Sequence, residues 1–414
     1  MIAAEHGLNL AVLVVVAATF LVWSLIVARV ERWNLTAPMF FVIVGFSLMH
    51  WPFHVEALHL GSTAIREVAE ITLAVVLFGD AARVSVNELR HDAAVPTRLL
   101  TIGLPLSMVL GTVLAHLLLP GVGWWVCAVV GAAVAPTDAA LGAAIVDDER
   151  VPERIRRILN VESGLNDGIA TPFVKFFLVA AVVGTSLETS SSGRAVAELV
   201  VGAVGGVLIG AAGGWLLVRA RAAGWTTAST TALGVTALAL VAYAACIEAG
   251  GNGFVAAFVA GLAYGTVTRH ADEAALEFTH ESGQLLSMVV WFLFGAVMLP
   301  ALAEATWHDI AFALAALTVA RMVPVALALL GTGFDRATIV VLGWFGPRGL
   351  ASVVFALLAY ESLAPGDGLR VVTVITATVL FSVVLHGASA APVGKRYGAT
   401  HADVADAEAL RSAD

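Results

Sequence analysis

Apolar residues fill this chain in windows of about twenty, each closed by charges, proline or glycine, and about 20 mostly apolar residues are what a helix needs to cross a bilayer's hydrocarbon core. Thirteen spans are expected, at residues 8–28, 37–53, 67–84, 97–119, 123–146, 156–183, 195–218, 227–248, 252–268, 283–301, 308–330, 336–360 and 370–391. Those at 37–53 and 252–268 are short for a crossing. The pattern predicts an all-α membrane protein. Met1 to Gly7 carries no Lys or Arg, and no convincing small-residue cleavage site follows the apolar run from Leu8 to Ala28. A retained first span is therefore expected rather than a signal peptide.

Composition agrees with that pattern, since 59% of the 414 residues are hydrophobic and 13% are charged, against about 45–50% and about 25% in soluble domains. A cytoplasmic enzyme and a disordered chain are both disfavoured. Twenty-two Lys+Arg against 31 Asp+Glu leave a net charge of −9 with no basic run, so the expected partner is membrane lipid and not nucleic acid. The two cysteines, Cys127 and Cys246, sit in separate apolar runs and suggest neither a disulfide framework nor a cysteine metal site. Charge also tests the span count. Sixteen of the 22 basic residues follow odd-numbered spans or lie in the C-terminal tail, whereas Arg66, Arg194 and Arg370 fall on the other side. The positive-inside rule then places the N-terminus outside, the C-terminus in the cytoplasm and the Ser-rich stretch Thr185 to Gly193 in an external loop.

Against this apolar background stand Asp80, Asp138, Glu162, Asn166, Asp167, Lys175, Arg321 and Arg348. An ionisable residue at a span centre costs about 2.5–3.5 kcal/mol and by default marks a functional site. Structural ion pairs between helices are the plainer explanation, but two of these charges stand at helix breaks. Ala135-Pro136-Thr137-Asp138 interrupts the fifth span, and Gly346-Pro347-Arg348-Gly349 interrupts the twelfth. Proline removes a backbone donor, and Thr137 and Asp138 suit the start of a second half-helix. Arg348 suits the exposed carbonyls of half-helix C-termini. Broken helices at matching places in two inverted halves point to a transporter's midplane site.

In the sixth span, Glu162, Ser163, Asn166 and Asp167 cover an arc of about 140°, a single polar face. A carboxylate, a hydroxyl and free carbonyls suit a hard cation such as Na⁺ or Li⁺. Lys175 lies about 12 Å further along that helix and reads as a snorkelling anchor rather than a coupling residue.

Together, Thr137-Asp138, Glu162-Ser163, Asn166-Asp167 and Gly346-Pro347-Arg348-Gly349 resemble the monovalent cation/proton antiporters, specifically the NhaP-like and NHE-like sodium/proton exchangers. Gly251-Asn252-Gly253-Phe254, leading into Ala257 to Leu262, resembles that family's ninth span, and the likeness covers nearly the whole chain. It implies an NhaA-like antiporter fold, with two inverted six-helix repeats, crossed discontinuous helices and about 13 transmembrane helices. Residues 97–183 and 302–393 would form an ion-binding core, 1–96 and 184–301 a scaffold and dimerisation region, and 394–414 a short cytoplasmic tail. By the same resemblance, Asp167 binds cation or proton, with Ser163 and the Thr137 backbone completing the shell around Na⁺. Asp138 would stand at the helix crossing, Asp80 would contribute to cation binding, Glu162 would pair with Arg348, and Arg321 would be structural. Pro347 departs from the small or apolar residue common in relatives, and the long regulatory tail of animal relatives has no counterpart here.

The expected function is electroneutral exchange of Na⁺ or Li⁺ for H⁺ at the cell membrane, by a homodimer that is not an enzyme and needs no cofactor. Proton and cation compete for Asp167, and Asn166 in place of a second aspartate suggests one H⁺ per cation. A K⁺/H⁺ antiporter or another proton-coupled transporter on the same fold is the alternative. An ion channel would not need paired helix breaks, and an intramembrane hydrolase lacks a histidine near Ser163.

Overall fold

The computed structural model describes residues 10–30, 35–50, 60–84, 94–146, 148, 150–183, 189–268 and 273–401. All regular structure within them is helical. In chain order the helices are α1 (Leu10–Val30), α2 (Ala37–His50), α3 (Thr63–Arg83), α4 (Ala94–Leu118), α5 (Trp124–Ala133), α6 (Ala143–Val146), α7 (Glu153–Val183) and α8 (Thr189–Ala222). There follow α9 (Ala228–Glu248), α10 (Gly253–Thr268), α11 (Glu273–Glu304), α12 (Trp307–Leu317), α13 (Val319–Ala328), α14 (Arg336–Trp344), α15 (Leu350–Ser362) and α16 (Pro365–Thr400). Among the described residues, eight helices are long and apolar enough to cross a membrane by length and composition, and shorter apolar helices accompany them. The chain is thus a multi-span membrane protein.

Small residues let these helices approach closely, as they must where lipid supplies no hydrophobic drive between them. Along α8, a Cβ added at Gly202, Gly206 or Gly210 would stand 2.6, 2.6 and 2.2 Å from the carbonyl oxygens of Asn252, Ala256 and Ala260. Four-residue spacing puts these glycines in one stripe, and α10 lies against it. On its other side α10 meets α3, where Gly261 faces the Phe78 carbonyl and Gly265 that of Ala82.

Three ends differ most from the apolar windows. Helix α11 starts at Glu273 rather than 283, and α8 starts at Thr189, inside the stretch expected as a loop. Helix α16 continues through Pro392 to Thr400, into the expected tail. Its last turns are polar but not free, for Tyr397 is buried and its hydroxyl lies 2.7 Å from Thr338 Oγ1. Packing thus extends the helix beyond the hydrophobic window. Arg90, residues 185–188 of the Ser-rich stretch and the residues after His401 lie outside the described residues.

Both expected breaks are present. Helix α5 ends at Ala133, residues 134–138 run without helix, and a 3₁₀ turn over Ala139–Gly142 leads into α6. Helix α14 ends at Trp344, and α15 resumes at Leu350. The two interruptions meet, since the Asp138 N–H donates to the Pro347 carbonyl at 2.8 Å. Ser352 on α15 donates to the Ala133 carbonyl at 2.7 Å, satisfying the end of α5. Helix ends leave backbone groups unpaired, and here each broken helix supplies partners for the other.

Candidate functional site

Helix α7 carries the polar face. Glu162, Ser163, Asn166 and Asp167 are all buried on it, as an i, i+4 spacing on one helix face requires. Ser163 Oγ donates to the Thr137 carbonyl at 2.6 Å and lies 3.2 Å from Thr137 Oγ1. Asn166 Nδ2 donates to Thr137 Oγ1 at 2.7 Å, and its Oδ1 is buried with no hydrogen-bond partner among the described residues. The unwound strand at Thr137 is thereby sewn to α7.

Asp138 stands at the crossing, where its Oδ2 accepts the Leu350 N–H at 3.2 Å. That N–H opens α15, so the carboxylate faces the positive end of a half-helix. This is the opposite broken helix, not the continuation of the one that carries Asp138. The approach leaves no room at Gly349, where a Cβ would lie 1.9 Å from Asp138 Oδ2.

A cavity of about 580 Å³ opens beside these residues, lined among others by Asp80, Thr137, Asp138, Asn160, Ser163, Gly164, Asp167, His280, Gln284 and Ser287. Asp167 is 9% exposed, and among the described residues no hydrogen bond or ion pair reaches its carboxylate. Asp80 comes from α3, which nears α7 at Gly164, where a Cβ would sit 3.4 Å from that of Asp80. His280 Nδ1 lies 3.9 Å from Asp80 Oδ1, and His280 Nε2 lies 2.9 Å from Gln284 Nε2. Thr137, Ser163, Asp80, Asp138 and Asp167 thus bring carbonyl, hydroxyl and carboxylate oxygens to the border of one cavity, a set suited to a hard monovalent cation.

The expected ion pair is corrected. Glu162 pairs with Arg321 and not with Arg348. Arg321 NH2 donates to Glu162 Oε2 at 2.9 Å and NH1 donates to Oε1, a two-pronged contact with both side chains buried. Arg348 is instead taken up by helix ends. Its NH1 donates to the Gly346 carbonyl at 2.9 Å and reaches the Pro136 carbonyl at 3.4 Å, while NH2 reaches that of Ala316 at 3.5 Å. A guanidinium matches a carboxylate in plane, and Arg321 makes that contact from the first turn of α13, just after Thr318, at φ −105 and ψ −76, parts it from α12.

Lys175 is half-buried on α7, its Nζ 6.0 Å from the Phe254 ring centroid. It is not among the residues lining the cavity. Sequence reasoning missed His280, because the apolar window for that span began at 283, and it also passed over Gln284 just inside that window. Their i, i+4 spacing was the available signal. It also missed Ser352, Ser382 and His386, single polar residues in apolar helices.

Residues 15–396 match the family described as sodium/hydrogen exchanger, transmembrane. The K⁺/H⁺ antiporter NhaP2 of Shewanella oneidensis is 26% identical over 324 residues, 78% of this chain and 56% of the relative. The chain therefore spans little more than half the length of the NhaP2 relatives it matches. The Na⁺/H⁺ antiporter NhaP of Pseudomonas aeruginosa is 28% identical over 347 residues, covering 78% of this chain and 79% of the relative. Among solved structures, the sodium proton antiporter MjNhaP1 of Methanocaldococcus jannaschii at pH 8 superposes with a TM-score of 0.73 at 19% identity, over 92% of this chain and 100% of that one. The fold is thus the NhaP fold, and with a family match running over nearly its whole length the chain belongs to the sodium/hydrogen exchangers, a family of monovalent cation/proton antiporters.

Proposed function

We propose that this chain exchanges Na⁺ or Li⁺ for H⁺, one for one, by alternating access, with cation and proton competing for Asp167. The observation that carries the reading is the Asp167 carboxylate itself, buried beside a cavity with no partner from the protein among the described residues. A bare buried charge is costly, and either a proton or a cation relieves it. If the loaded core moves and the bare one does not, exchange follows. Ser163, whose proton is engaged at the Thr137 carbonyl, keeps lone pairs for a cation, and Thr137 adds oxygen ligands beside it. Asp80 and Asp138 supply negative charge near the cavity. Asn166 holds Thr137 in place and adds no second titrating charge.

K⁺/H⁺ exchange is the second reading, favoured by the names of the NhaP2 relatives. Selectivity between the cations rests on ligand geometry. The setting is proposed as the cell membrane, with the N-terminus outside, the C-terminus cytoplasmic and two copies forming a dimer. Residues 97–183 and 302–393 are proposed as the moving core. The test is proton release from acid-loaded proteoliposomes, followed by dequenching of a pH dye as Na⁺, Li⁺ and K⁺ are added in turn. Dequenching by Na⁺ and Li⁺ supports the first reading and dequenching by K⁺ alone the second. No response to any of them refutes both.

A further inference from the structure

Helix α16 carries a fully buried histidine that the exchange mechanism does not use. His386 is 0% exposed, its Nε2 lies 2.9 Å from the Trp344 carbonyl, and its Nδ1 lies 3.2 Å from Ser382 Oγ and 2.9 Å from the Ser382 carbonyl. Each ring nitrogen faces an acceptor-only carbonyl, but Nδ1 also has the Ser382 hydroxyl as a donor while Nε2 has the Trp344 carbonyl alone, so the proton is assigned to Nε2. Ser382 Oγ already accepts the Arg348 backbone N–H at 2.6 Å, which leaves the hydroxyl's own proton for Nδ1. One hydrogen-bonded chain then runs from Arg348 N–H through Ser382 and His386 to Trp344. Trp344 is the last residue of α14, and Arg348 lies two residues before α15. Both banks of the helix break are held from behind by a single turn of α16.

The other face of that break is the crossing. Pro347 accepts the Asp138 N–H, and Leu350 donates to the Asp138 carboxylate. Any shift of residues 345–349 is therefore passed to Asp138 and to its neighbour Thr137. We propose that His386 is a positioning residue for cation selection, which, by clamping Trp344 and, through Ser382, Arg348, sets the spacing of the oxygen ligands around the transported cation. The inference rests on the reading of this site as a cation/proton exchange site.

The two amide side chains separate this role from mere filling of space. Glutamine can place an amide N–H near the position of Nε2, whereas asparagine reaches only to that of Nδ1. Full-length protein in proteoliposomes is assayed for the apparent KM of Na⁺ and of K⁺, with His386→Gln, His386→Asn and Ser382→Ala beside wild type. His386→Gln is expected to stay within about threefold of wild type for the cation transported, while His386→Asn raises KM about tenfold or changes the ratio of the two KM values. Ser382→Ala loses one oxygen and is expected to shift KM in the same direction. This variant decides the matter if His386→Asn does not fold. Wild-type KM values and ratio in both His386→Asn and Ser382→Ala would overturn the proposal, as would equal damage in the Gln and Asn variants. A wild type that moves no protons in response to either cation refutes the exchange reading instead, a result distinct from all of these.

Discussion

Asp167 and Glu162 are carboxylates on the same buried face of α7, yet their surroundings give them different work. Glu162 is held on both oxygens by Arg321, while Asp167 borders the cavity without a protein partner among the described residues. Asp167→Asn keeps the volume and removes the charge, so exchange should vanish while insertion and melting temperature stay close to wild type. Cation-driven proton movement near the wild-type rate would end the single-seat mechanism. Removing one member of a buried pair strands the other at a cost of roughly 3–5 kcal/mol. Glu162→Gln and Arg321→Ala are thus each expected to lower thermal stability in detergent. Because Arg348 bonds to carbonyls instead, a double-mutant cycle should give a larger coupling for Glu162 with Arg321 than for Glu162 with Arg348. The reverse order would restore the pairing that the sequence suggested.

The crossing of the two broken helices depends on glycine backbone lying directly against side chains. At Gly349 even one methyl group would overlap Asp138 Oδ2, and at Gly346 a Cβ would lie 2.3 Å from Arg321 Nε. Gly349→Ala should therefore cut the transport rate about a hundredfold, the scale expected when a site is displaced by about 1 Å. Rates measured against the amount of folded protein check this, and wild-type turnover would show that the crossing tolerates a gap. A lone proline does not suffice to break a helix, for α16 runs on through Pro392, but the breaks themselves were legible in the sequence, because there proline stands beside glycine or a polar pair. So was the polar face of α7, which follows from helical periodicity alone. Which arginine meets Glu162 was not legible. Both lie far along the chain, and the choice turns on the Thr318 break and on where three helix-end carbonyls converge. His280 was hidden for another reason, since hydropathy locates the apolar part of a helix and α11 begins in its polar part.

In the molecule as a whole, the cavity lining includes Leu35 to Pro38, Asn160 and His280, residues that lie toward the cytoplasmic side in the orientation proposed above. About 21 Å along α3 from Asp80, Arg66 pairs with Glu361 of α15 and Tyr243 donates to Glu70 at 2.6 Å. What each cycle carries in charge follows from which groups can change protonation. In the proposed mechanism Asp167 is the single seat, with Glu162 held by Arg321, Asn166 not titrating, Asp138 facing the Leu350 N–H and Asp80 standing beside His280. One positive charge then enters for each that leaves, and the membrane potential should supply no driving force. Had a second proton moved, each net charge would gain about 2.3 kcal/mol per 100 mV. Proteoliposomes clamped at 0 and about −100 mV with K⁺ and valinomycin, after K⁺ itself is shown not to be transported, should reach the same Na⁺ ratio at equilibrium. A tenfold or larger difference, worth about 1.4 kcal/mol, would mean that a second group carries a proton. The carboxylates to substitute next would then be Asp138 and Asp80, the other two that line the cavity.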